Sequence, residues 1–87
     1  MTFKQLKAFL VLARTLNYAQ AAHELCLTQS ALSLSIKTLE EELGGKLFTR
    51  STRRVEISPE GQVLMPYAKK VLAQWEEMEK DVKQRFE

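Results

Sequence analysis

Only three residues, Cys26-Leu27-Thr28, separate two helix-forming segments, and no other feature of this chain restricts its fold so tightly. The segment before them carries a capping signal, Asn17 with Gln20 three residues on, and a packing side of Ala21, Ala22 and Leu25. The segment after them opens at Thr28, a residue type that caps helices well, and repeats apolar side chains at Leu32, Ile36, Leu39 and Leu43. Cys26-Leu27 fits neither stripe. Helices joined this closely meet at a steep angle, the small alanines let them approach, and the second is pushed outward.

The rest of the chain is punctuated in the same way. Thr2 with Gln5 forms a second capping signal, and Leu6, Phe9, Leu10 and Ala13 make a helical stripe over residues 3–15. The next two helices are expected at 18–25 and 29–43, with Gly44 ending the latter because glycine takes the left-handed conformation freely. Beyond it the period changes. Leu47–Arg50 and Arg54–Ile57 are short β-prone runs around Ser51-Thr52-Arg53, which predicts a two-stranded hairpin within 46–57. Ser58-Pro59-Glu60 then reads as N-cap, first-turn proline and an acid at the positive helix end. Along the long last helix, Leu64, Ala68, Val71, Trp75, Met78 and Val82 step by 4 and 3 alternately, the rhythm of a helix–helix seam. Pro66 is expected to kink that helix.

The predicted fold class is mainly α: a winged helix-turn-helix of three helices plus a two-stranded wing, with a long C-terminal linker and dimerisation helix. The parts are residues 1–58 and 59–87. Eighty-seven residues bury a small core, so added surface from a partner counts.

Net charge is only +2, and its distribution says more. From Met1 to His23 the only charges are Lys4, Lys7 and Arg14, and from Gly44 to Val55 they are Lys46, Arg50, Arg53 and Arg54. Acids gather in Glu40-Glu41-Glu42 and in Glu76, Glu77, Glu79 and Asp81. Such separation lets one face meet a polyanion, although charge runs are also ordinary solvated faces. The outward side of the 29–43 helix presents Gln29, Ser30, Ser33, Leu34 and Lys37, free of acid until Glu40. Short polar side chains beside the free N–H groups of a first turn, just after a tight turn, suit entry into a major groove. Arg53 at the hairpin tip, with Arg50 and Arg54 beside it, suits phosphate or a narrow minor groove. Basic hairpin tips also serve solubility. Asn17 and Tyr18 are placed to meet a phosphate, and Asn17 is equally explained as a cap.

The run Tyr18-Ala-Gln-Ala-Ala-His-Glu-Leu-Cys-Leu-Thr28-Gln29-Ser30-Ala-Leu-Ser33 closely resembles the N-terminal domain of LysR-type bacterial transcriptional regulators. So do Ile36, Leu39-Glu40, Leu43-Gly44, Leu47-Phe48-Thr49-Arg50 and Ser58-Pro59-Glu60-Gly61, and the match extends over essentially the whole chain. Carried over by position, the resemblance implies base reading through Gln29, Ser30, Ser33 and Leu34, with Arg53 at the wing; Thr28, Lys37, Tyr18, Arg50 and Arg54 complete the expected DNA-binding set from their own positions. It also implies a homodimer formed through the last helix, reading an inverted-repeat operator in double-stranded DNA. A small-molecule inducer would then bind only an effector domain absent from these residues, and the chain is expected to be the DNA-binding fragment of a longer protein. Two departures bear on specificity: Ser30 stands where the family usually has proline, and Leu34 where it often has arginine.

An enzyme is not expected. His23 is the single histidine, Cys26 the single cysteine, and nothing forms a catalytic arrangement, a metal-ligand cluster or a phosphate loop; no cofactor or metal is implied. Cys26 reads as a small core hydrophobe. With no disulfide possible, no leader-like start and no apolar run of membrane length, the expectation is a cytoplasmic protein without a membrane partner.

Overall fold

Each helix begins at the residue whose side chain satisfies its free first-turn N–H groups. In the computed structural model, which describes residues 1–86, the helices are α1 (Phe3–Thr15), α2 (Tyr18–Glu24), α3 (Gln29–Leu43) and α4 (Pro59–Arg85). Thr2 Oγ1 accepts the Gln5 N–H at 3.1 Å while Gln5 Oε1 accepts the Thr2 N–H at 2.8 Å, a complete capping box. Asn17, Thr28 and Ser58 cap α2, α3 and α4 through the N–H groups of Gln20, Ala31 and Gly61. The strands are β1 (Phe48–Arg50) and β2 (Val55–Ile57), antiparallel with Thr49 opposite Glu56. The architecture is mainly helical: three helices, a two-stranded wing and a long last helix. Glu87, the end of the expected 59–87 segment, lies outside the described residues.

The tight turn closes α2 one residue earlier than expected, at Glu24. The Cys26 N–H donates to the His23 carbonyl at 3.1 Å and the Leu27 N–H to the Ala22 carbonyl at 2.8 Å, the paired bonds of a Schellman close. That close needs a left-handed residue, and Cys26 supplies it at φ 58. Its side chain is thereby thrown outward. The expected core cysteine is exposed.

Phe9, Leu12, Leu32 and Leu39 are the largest fully enclosed side chains, each contributing roughly 1.5–3 kcal/mol by leaving water. The α4 helix crosses this core antiparallel to α1: Leu10, Ala13 and Arg14 adjoin Met65 and Lys69, while Phe3 at the other end stacks on Trp75 with centroids 4.8 Å apart. Trp75 belongs to the seam expected to face another helix, and the first residue of α1 meets one side of its ring. Leu43, expected on the buried stripe, is 45% exposed because it is the last residue of α3, beyond the layer that Leu39 completes. Pro66 does not interrupt α4. It lies on the exposed side, where water can take the Gln62 carbonyl that its missing N–H leaves free.

The wing is fixed at its base. Phe48 packs on Phe9 with centroids 5.5 Å apart, and the Ser58 N–H donates to the Leu47 carbonyl at 2.9 Å. Gly61 makes this possible, since a Cβ there would lie 2.4 Å from the Leu47 carbonyl oxygen. Among the described residues no helix is long and apolar enough to cross a membrane.

Candidate nucleic-acid interface

Glu40 decides how the wing stands against α3. Its carboxylate is turned inward, with the side chain 11% exposed, and accepts the Leu47 N–H at 2.7 Å and the Phe48 N–H at 3.4 Å. Charge-assisted bonds to two backbone donors join the last turn of α3 to the start of the first strand. The Lys46 ammonium lies 3.9 Å away and is largely in water, so it adds little. In the sequence Glu40 reads as the first acid of a solvated run. The signal that could have distinguished it is its place one turn before a helix stop, with unpaired strand N–H groups just beyond the turn.

With Glu40 withdrawn, the outward face of α3 is free of acid as far as Glu41. Gln29, Ser30, Ser33, Leu34 and Lys37 are all exposed along it. Leu34 is the anomaly: it leaves 65% of its surface in water in the middle of a polar row. Thr28 is exposed too, but its hydroxyl is committed to the Ala31 N–H.

Between the starts of α2 and α3 and the wing lies an open cleft of about 700 Å³, lined by Asn17, Tyr18, Gln29, Arg50, Arg53 and Arg54 among others. The Arg50 guanidinium sits 4.3 Å above the centre of the Tyr18 ring. The ring face attracts the cation, and Arg50 stays exposed to solvent. Burial pushes the Tyr18 phenol above its ordinary 10.0; the Arg50 charge opposes that shift and the Glu40 charge adds to it. The phenol is therefore neutral, a hydrogen-bond donor, at any physiological pH. At the tip the Ser51 N–H donates to the Arg54 carbonyl at 3.0 Å, closing a turn with Thr52 and Arg53 outermost. Glu56 is the only acid in the lining.

The cleft thus gathers Tyr18, Gln29, Arg50, Arg53 and Arg54. Ser30, Ser33, Leu34 and Lys37 lie outside it, along the same exposed face, and Lys37 adjoins Glu40, Glu41 and Lys46 instead. The expected seam on α4 divides in two. Leu64 and Ala68 belong to the chain's own core, whereas Val71, Trp75, Met78 and Val82 are exposed.

Residues 3–62 match the family model for the bacterial regulatory helix-turn-helix proteins of the lysR family. The chain belongs to that family. Among its lysR-family relatives, the HTH-type transcriptional regulator HdfR of Yersinia enterocolitica is 42% identical over 82 residues, 94% of this chain. The chain spans 28% of that relative's length. The structure of the BenM DBD with catB site 1 DNA superposes with a TM-score of 0.91 at 36% identity, covering 97% of this chain and 93% of that one. Vibrio fischeri DarR in complex with DNA gives 0.90 at 32% identity, covering 97% of this chain and 29% of that one. This establishes the fold as the winged helix-turn-helix of the lysR family.

Proposed function

We propose that the chain is the DNA-binding domain of a bacterial transcriptional regulator and reads double-stranded DNA as a homodimer. Residues 1–58 form the DNA-binding unit and 59–87 the linker and dimerisation segment. The exposed face of α3 enters the major groove, with Gln29, Ser30, Ser33 and Leu34 toward base edges and Lys37 toward the backbone. Arg50, Arg53 and Arg54 grip the flanking backbone and minor groove, with Tyr18 steadying Arg50. The observation that carries this reading is the cleft in which the start of α3 and three wing arginines converge around Tyr18. It is supported by the likeness to BenM and DarR, both of which are seen with DNA. The exposed residues of α4 pair two copies, so that two α3 helices address inverted half-sites roughly 34–36 Å apart or a multiple of that. An inducer acts through a further domain of the whole regulator, which works in the cytoplasm; no catalytic step is assigned to these residues.

A gel shift titrated with salt tests the reading. Affinity for a duplex should fall linearly on logarithmic axes, with a slope of about 0.9 per phosphate neutralised. Arg53→Ala should lower the affinity and reduce that slope by about 1. A shift absent even at low salt would turn the reading toward a protein-interaction module. Unchanged affinity and slope in Arg53→Ala would remove the wing tip from the interface.

A further inference from the structure

Leu34, with 65% of its surface in water, does not stand alone on α3. Ala31 lies three residues before it and Thr38 four after, both exposed and on the same side of the helix. The Thr38 hydroxyl donates to the Leu34 carbonyl at 2.8 Å, so the free end of that side chain is its methyl group. Ala31, Leu34 and Thr38 therefore form a short apolar ridge along the outward face. Ser30, Ser33 and Lys37 run beside it as a polar row.

The chain's own core has no use for this ridge, because the buried stripe of α3, Leu32, Ile36 and Leu39, faces the opposite way. Its surroundings suit a polyanion: the polar row flanks it without an acid, and the wing arginines stand beyond the start of the helix. Base edges in a major groove are hydrogen-bonding groups with one apolar exception, the 5-methyl group of thymine. Leucine laid over a guanine edge takes two acceptors out of water and returns no bond, which costs affinity. Laid over a methyl group, it removes apolar surface on both sides from water.

Resting on the reading of α3 as the groove-facing helix, we propose that Leu34 is a specificity-determining residue that reads a thymine 5-methyl group, one in each half-site. Ala31 and the Thr38 methyl close the ridge around that contact. The chain thereby selects a pyrimidine by its methyl group at a place where hydrogen bonding selects nothing.

The test uses a duplex selected from random sequences with the parent chain. Each of its thymines is replaced in turn by deoxyuridine, which deletes the methyl and keeps every hydrogen-bonding group. One such replacement should weaken binding about fourfold in fluorescence anisotropy, and about fifteenfold when it is made in both half-sites. Leu34→Ala should bind the thymine and deoxyuridine duplexes nearly alike, whereas Leu34→Met, which keeps the apolar reach, should retain the difference. Both substitutions fall at an exposed position, so the core is untouched by them. A parent chain indifferent to every replacement, or a methyl effect that persists in full in Leu34→Ala, overturns the assignment and leaves groove reading standing. Failure to bind any duplex at low salt overturns both.

Discussion

At Gln29 three circumstances coincide: the first turn of α3, an exposed side chain, and the edge of the arginine-lined cleft. A glutamine so placed can bond an adenine edge through both its amide atoms. Gln29→Ala should therefore cost about 1–3 kcal/mol of discrimination at one base position per half-site. Selection of sites from random duplexes reads this as a lost preference at that position alone, and an unaltered profile would take Gln29 out of base contact. Tyr18 makes a second residue-scale prediction. Because its folded pKa is raised, the stability it contributes is fully present below pH 10 and is lost as pH climbs through the raised value. Ultraviolet titration of a Tyr67→Phe variant should show the remaining phenol ionising above 10.0; ionisation below it would contradict the burial of the Tyr18 ring. Which side chains stand outward on α3 was legible from helical spacing alone. Glu40 and Cys26 were not, because their orientation depends on backbone groups outside their own helices: the strand N–H groups for one, a left-handed closing residue for the other.

At the scale of elements, the caps carried most of the information. Thr2, Asn17, Thr28 and Ser58 each start a helix where the sequence placed the start, since a capping side chain acts within three residues of itself. Both strands were found in sequence, each one residue longer than in the fold: the closing bond from Ser51 draws Arg54 into the turn, and Leu47 gives its N–H to the Glu40 carboxylate instead of to a strand. What spacing could not convey is how the hairpin is held. Removing the Glu40 carboxylate leaves the Leu47 and Phe48 N–H groups without their acceptor, so Glu40→Ala should destabilise the fold by about 1.5–3 kcal/mol. Hydrogen exchange should accelerate first at those two amides. Equal protection in parent and variant would mean that the wing is held by Phe48 and Ser58 alone.

For the whole molecule, α4 serves two purposes, and the seam rhythm in the sequence merged them. Leu64, Ala68 and Leu72 face the chain's own core, while the residues one position around the helix form a separate strip in water. A rhythm of alternating 3 and 4 cannot say which neighbour a helix meets. If the strip joins two copies, Trp75→Glu places two charges between them and should weaken self-association at least tenfold in sedimentation, with binding to a two-half-site duplex falling more than binding to a half-site. An unchanged dimer would move the interface elsewhere.

The claim on which the rest depends is that the exposed face of α3 and the wing together meet the duplex. Backbone amide shifts recorded while a selected duplex is titrated into the chain measure this residue by residue. The largest changes should fall on Tyr18, Gln29 to Lys37 and Arg50 to Arg54, with the second half of α4 nearly silent. Changes confined to α4, or none at low salt, would contradict it.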